Sequence, residues 1–319
     1  KAWMAGEIEA AQLVMRAPEM LARKNITLRT GVNVKAIDRS AQTVILGDGS
    51  ALPYTGLVLA TGSTPRALPL PGSDAPGVLA LRTRDDASAI ADRLAACIAQ
   101  QRPVVVIGGG FIGLEVAATA RKKGLAVTVL EAAPRLLGRV LAPVLSDWYA
   151  ELHRGHGVQL LLGAQVAAIE TDADGAVSGV KLADGSVVPA GLVVVGIGVS
   201  ANDQLAQAAG LACDRGIVVD ACCRTSDPLI VAAGDCTARR LADGNLLRLE
   251  SVQNATEQGK SAAAALMGQV RTGVHAHATA GTAPGQVLAR INGLIHDLGS
   301  DLFTCSPSTS RPTNSINSQ

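Results

Sequence analysis

The chain has 319 residues, of which 48% are hydrophobic and 17% charged, enough apolar material for a large core divided among two or three domains. Its 28 Lys and Arg against 27 Asp and Glu leave a net charge of +1 with no basic run, so no nucleic-acid or anionic-membrane partner is expected. Apolar runs such as residues 192–195 fall far short of the ~20 residues of a membrane span, and the chain reads as soluble and cytoplasmic.

In chain order, residues 1–25 read as helical, and residues 32–37 and 43–46 carry β-branched residues around a polar turn, with Asp48-Gly49 closing a hairpin. A short apolar strand at 57–59 runs into Ala60-Thr61-Gly62, and the proline-rich stretch 65–76 excludes helix and marks a domain edge. Residues 86–99 have helical spacing. Residues 104–107 are a buried strand that leads straight into Gly108-Gly109-Gly110-Phe111-Ile112-Gly113 and a helix, and the next strand, 126–130, ends at Glu131. Further strands at 158–162, 177–182 and 192–195 complete an alternating pattern that predicts a parallel α/β sheet. Residues 217–219 and 230–233 are strands, the second ending at Gly234-Asp235, and a helix is expected over 250–258. Beyond about Gly268 the composition turns to Thr, Ala, Gly and Ser, and this end is expected to be disordered apart from an amphipathic pattern at Val287, Leu288, Ile291, Leu294, Ile295 and Leu298.

The chemistry concentrates at Gly108, Gly110 and Gly113, a G-x-G-x-x-G turn between strand and helix, where missing side chains let backbone amides approach a pyrophosphate. Glu131 follows 18 residues after Gly113, placed to accept the ribose hydroxyls of NADH. A 2′-phosphate would be repelled by Glu131 and would need a cation directly after it, where Ala132 and Ala133 stand, so NADH is favoured over NADPH. Arg135 and Arg139 are candidates to touch the pyrophosphate or ribose, while His153 and His156 sit where helix C-terminal capping is the expected role. The cysteines at 97, 213, 222, 223, 236 and 305 form no C-x-x-C pair, so neither a redox dithiol nor a metal site is expected.

Taken in order, Ala60-Thr61-Gly62, Leu81-Arg82-Thr83, the turn from Gly108 to Glu115, Gly196-Ile197-Gly198, Gly234-Asp235 and Leu249-Glu250-Ser251-Val252-Gln253-Asn254 resemble the FAD-dependent pyridine-nucleotide reductases. Within them the chain is similar to the ferredoxin or rubredoxin reductases that serve bacterial oxygenases, from Lys1 to about Met267. The resemblance implies two Rossmann-like dinucleotide-binding domains. An FAD domain of residues 1–81 and 214–267 would be split by an inserted NADH domain of residues 82–213, with 268–319 an atypical tail. It also implies that Asp235 beside Gly234 holds the FAD ribitol, that Val34 touches the adenine, and that Thr61, Gly62 and Arg82 face the cofactor. Glu250, Ser251 and Val252 would border the flavin and nicotinamide, and Phe111, Ile112 and Gly198 would line the NADH side. Lys1 resembles a family lysine beside the flavin, paired with Glu115. The implied activity passes electrons from NADH through FAD to a ferredoxin-type iron–sulfur protein; an NADH oxidase or disulfide reductase of the same superfamily, or a silent NADH-binding fragment, are the alternatives.

Three departures from that family stand out. Its N-terminal strand and its own glycine turn for FAD are expected upstream of Lys1. Ala201 precedes Asn202 where a proline is common. The Trp-rich strand that opens the family's C-terminal domain is not matched, since the only tryptophans are Trp3 and Trp148, and this leaves the expected homodimer and partner surfaces incomplete.

Overall fold

The computed structural model describes residues 2–278, with side chains through residue 268. The chain divides into two compact units, Lys1–Thr30 with Thr64–Ser200, and Gly31–Ser63 with the chain from Ala201 onward.

The first unit is built on a five-stranded, all-parallel sheet in the order Val78–Ala80, Leu192–Val195, Val104–Ile107, Val127–Glu131, Val158–Leu162. The central strands Val104–Ile107 and Leu192–Val195 are unbroken, fully buried apolar runs because both faces are covered. Alternate residues serve alternate sides. Val104, Val106, Val127, Val129, Leu192 and Val194 pack against Ile90 and Leu94 of helix Arg84–Gln100 and Val116, Ala117 and Ala120 of helix Phe111–Lys122. Val105, Ile107, Leu130, Val193 and Val195 face the other way, onto Ile169, Val177, Val180 and Leu182 of a three-stranded antiparallel sheet, Val166–Thr171, Val177–Leu182, Val187–Pro189.

That second sheet corrects an expectation. Residues 177–182 were expected in the parallel sheet, but only residues 172–176 separate this strand from the preceding one. So short a link permits a hairpin and forbids a parallel crossover.

The amino-terminal segment is also different from its single helical reading. It forms two short α-helices, Ala2–Ala5 and Pro18–Arg23, around the 3₁₀ turn Ala10–Leu13. Met4 is buried with Ile90 and Leu94, and Trp3 Nε1 donates to Ser88 Oγ at 2.9 Å. These contacts tie helix Ala2–Ala5 to the first unit. Strand Val78–Ala80 belongs to the parallel sheet of the first unit, and Cys213 makes an isolated β-bridge with Ile217 within the second.

The second unit opens with an antiparallel meander, Val34–Asp38, Thr43–Leu46, Ala51–Pro53. Strand Leu57–Leu59 pairs in parallel with Ile230–Ala232, and Ile217–Val219 pairs in parallel with Thr237–Arg240. Ile37, Leu59, Ala206, Leu211, Ile217, Ile230 and Cys236 form one core, and Val231, Ala233, Ala262 and Ala265 form a second beneath helix Val252–Ala278. This helix continues past the Gly268 boundary read from composition; residues 279–319, including the pattern from Val287 to Leu298, lie outside the described residues. Among the described residues no helix is long and apolar enough to cross a membrane.

Candidate functional site

In the first unit the chain order along the sheet reverses beside Val104–Ile107: later strands run outward on one side, while Leu192–Val195 lies on the other. Crevices for ligands form at such reversals, outside the carboxyl ends of the strands. Here the two strand ends carry Gly108 and Gly196. Gly108 has φ +110°, and a Cβ on it would lie 2.3 Å from the Gly196 carbonyl oxygen. A Cβ on Gly113 would lie 2.1 Å from the Gly108 carbonyl, so both positions are sterically closed to any other residue.

Gly110 is different. It has φ −84°, and a Cβ there would meet nothing within 4 Å. The space beside it is open, at the start of helix Phe111–Lys122, whose N-cap has no side-chain partner. Unpaired amides and the positive end of the helix dipole make this a seat for a phosphate-bearing group. Phe111 and Ile112, both exposed, flank that seat on the first turn.

Glu131 ends its strand with both carboxylate oxygens anchored: Oε2 accepts from Gly109 N at 2.6 Å and Oε1 from Ala133 N at 2.7 Å. A carboxylate has about four acceptor sites, so two remain for hydroxyls of a ligand. Of the two candidate arginines, Arg135 is committed to the fold, its guanidinium donating to Leu141 O, Ser146 Oγ and Gly138 O. Arg139 is exposed, and its guanidinium lies 3.5 Å from where a Gly198 Cβ would be. His156 caps helix Pro143–Gly155, its ring Nδ1 2.8 Å from Leu152 O.

Glu115 is exposed on helix Phe111–Lys122. Its expected partner, Lys1, lies outside the described residues; on the same helix Lys122 pairs with Glu7. Arg82 is in this first unit too, its backbone N–H donating to Asp86 just before helix Arg84–Gln100.

The second unit gathers the other candidates. Strand Ile230–Ala232 ends at Gly234, held at φ +84°, a left-handed conformation that favours glycine. Asp235 follows, its Oδ2 accepting from Ser63 Oγ at 3.0 Å. Thr61 and Gly62 lie at the end of Leu57–Leu59 and are clasped by Asn202, which takes the Thr61 hydroxyl on its carbonyl, donates Nδ2 to Thr61 O at 2.9 Å and donates its amide to Gly62 O at 3.0 Å. Ser251 caps helix Val252–Ala278, accepting from Asn254 N at 3.1 Å. Val252 is 85% exposed on the first turn, and Glu250 pairs with Arg248 at 3.0 Å. Arg248 Nε is buried without an acceptor among the described residues. Val34 is partly exposed at the start of the meander. A glycine turn, a carboxylate at a strand end and a helix N-terminus are the donors and acceptors that a second dinucleotide needs.

Reading by sequence missed Gln258, Ser63, Asn202 and the structural role of Arg135. Gln258, Ser63 and Asn202 act through contacts with residues distant in the chain, and Arg135 through the loop and helix start that directly follow it. Among the described residues no cysteine is in a disulfide. Burial pushes Cys213 up to about 11, helped by the Asp203 carboxylate and Cys236, and burial also raises Cys97.

Residues 3–259 match the pyridine nucleotide-disulphide oxidoreductase family. Putidaredoxin reductase CamA of Pseudomonas putida is 48% identical over 85% of this chain and 64% of its own length. Rhodocoxin reductase of Rhodococcus erythropolis is 46% identical over 84% of this chain and 62% of its own length. The crystal structure of a covalent putidaredoxin reductase–putidaredoxin complex superposes with a TM-score of 0.78 at 46% identity, covering 83% of this chain and 64% of that one. The chain thus spans somewhat less than two thirds of the length of these relatives.

Proposed function

The chain belongs to the pyridine nucleotide-disulphide oxidoreductase family, and from that membership we propose that it is the reductase of an electron-transfer chain, taking electrons from NADH and passing them through FAD to a ferredoxin-type iron–sulfur protein in the cytoplasm. The observation that carries this reading is the glycine turn at the sheet reversal, closed at Gly108 and Gly113, open at Gly110 and faced by an anchored Glu131. Its similarity to the reductase seen joined to putidaredoxin points to the acceptor.

In this reading the amides of the Gly110–Ile112 turn bind the NADH pyrophosphate, Glu131 takes the ribose hydroxyls, and Phe111, Ile112, Gly198 and Arg139 border the bound nucleotide. Asp235 and Gly234 receive the ribityl chain of FAD, Val34 the adenine, and Thr61, Gly62 and Arg82 its remaining length. Glu250, Ser251 and Val252 present a helix N-terminus to the flavin edge, where its dipole favours negative charge. Lys1 and Glu115 are the charged pair proposed beside the reacting ring. FAD, when bound, supplies the ability to accept a hydride and release electrons singly, while the protein contributes orientation and electrostatics.

The test is NADH-driven reduction of a [2Fe–2S] ferredoxin by protein purified with FAD, measured against oxygen and against a small disulfide. Ferredoxin should be reduced fastest. Faster turnover with oxygen would make the protein an NADH oxidase, faster turnover with the disulfide a disulfide reductase, and absence of bound flavin would leave only an NADH-binding fragment.

A further inference from the structure

We propose that Gln258 is a positioning residue of the FAD site, holding in register, through one side-chain oxygen, the Gly234–Asp235 turn and the 249–252 segment; the inference rests on the assignment of FAD to the second unit. Gln258 lies on helix Val252–Ala278 and is only 8% exposed. Its Oε1 accepts the Gly234 amide at 2.8 Å. Thr237 Oγ1 stands 3.0 Å from the same oxygen and 2.8 Å from Gly234 O, so its single proton serves one of these acceptors at a time. Asn254 Nδ2 approaches Oε1 at 3.3 Å and also donates to Leu249 O at 2.9 Å.

The orientation of this carboxamide is dictated by its surroundings. A backbone N–H is only a donor, so the group facing Gly234 must be the oxygen. Gly234 sits at φ +84°, a left-handed conformation that favours glycine, and its amide is fixed by the Gln258 oxygen. The next residue is Asp235, whose carboxylate accepts from Ser63 Oγ. At the far arm, Asn254 carries the restraint to the Leu249 carbonyl, directly before Glu250, Ser251 and Val252. One oxygen therefore couples the segment proposed for the ribityl chain to the segment proposed for the flavin edge. None of these groups requires Gln258 to touch the cofactor.

The experiment compares the full chain with Gln258→Leu, Gln258→Glu and Asn254→Ala, reading FAD affinity by flavin fluorescence quenching and the fine structure of the bound flavin's visible spectrum. Leucine deprives a buried amide of its acceptor, and FAD affinity should fall by roughly ten- to a hundredfold, with a blurred spectrum. Glutamate keeps the oxygen and should restore both to near the parent's values. Equal FAD affinity and an unchanged spectrum in Gln258→Leu, or a Gln258→Glu variant as weak as leucine, would overturn the proposal. If Gln258→Leu does not fold, Asn254→Ala decides, because it cuts the arm to Leu249 at a partly exposed position: an altered spectrum supports the coupling and an unaltered one overturns it. A parent chain that binds NADH but no FAD would instead overturn the cofactor assignment on which the inference rests.

Discussion

At the scale of single residues, Glu131 and Cys213 make opposite uses of their surroundings. Glu131 is anchored by two backbone amides and still open to a ligand. Replacing Glu131 by Ala and Ala132 by Arg should shift the ratio of kcat/KM toward NADPH, because a repelling carboxylate gives way to a cation at the ribose. The same change strands the Gly109 and Ala133 amides, so the variant's rate with NADPH should stay roughly ten- to a hundredfold below the parent's rate with NADH. Steady-state kinetics with both nucleotides checks this, and unaltered NADH preference would refute the role given to Glu131. Cys213 is held protonated by burial, with a pKa of about 11. The thiolate is the reactive form, so brief iodoacetamide treatment at pH 8 should label Cys213 roughly a hundredfold more slowly than an ordinary exposed thiol. Peptide mapping that found it among the first sites modified would contradict its partly buried environment. Slow labelling fits a protein whose thiols do not carry electrons.

At the scale of elements, the unit running from Val104 to Glu131 was legible because everything it requires is local. The apolar strand, the turn, the helix and the acidic strand end follow one another without interruption, and the glycines of the turn stand there for different reasons. Two of those reasons separate cleanly by mutation. Gly113→Ala drives a Cβ to 2.1 Å from the Gly108 carbonyl, an overpacking that costs about 1–3 kcal/mol, and should lower Tm by about 2–4 °C for each of these. Gly110→Ala meets open space at an ordinary φ, so Tm should move little while NADH affinity drops at least about tenfold, the methyl standing where phosphate must approach. Thermal melts and NADH titrations of the two variants check the contrast; a stable Gly113→Ala or a tightly binding Gly110→Ala would break it. What could not be read locally depends on partners far along the chain. The strand Val177–Leu182 carries the same apolar signal whether its neighbours run parallel or antiparallel, and only the short link before it distinguishes them. Trp3 and Ser88 meet across 85 positions, and Asn202 clasps Thr61 across 141, with no periodicity to announce either. Gln258 lies one turn after Asn254, a helical spacing that hints at a shared face, but nothing local pairs it with Gly234.

At the scale of the molecule, the two units carry their candidate sites on separate sets of backbone amides, which makes the assignment of cofactors testable without any assay of turnover. A ligand that binds only the folded state stabilises it by RT ln(1 + [L]/Kd), about 2.7 kcal/mol at a hundred times Kd. That energy slows amide hydrogen exchange where opening would release the ligand. NADH added alone should therefore protect residues 108–114 and 131–133 in the first unit, whose glycine turn and Glu131 anchors open together. FAD added alone should protect residues 57–63, 234–237 and 252–258 in the second, where Asp235, Ser63 and Gln258 share one network. Amides of the buried strand Val104–Ile107 should gain protection from NADH as well, since the global opening through which deeply buried amides exchange also releases the ligand. Exchange mapped by mass spectrometry at saturating ligand distinguishes the outcomes. Protection by NADH confined to the second unit, or by FAD confined to the turn after Val104–Ile107, would exchange the two assignments and overturn the roles given to Glu131 and Asp235 together.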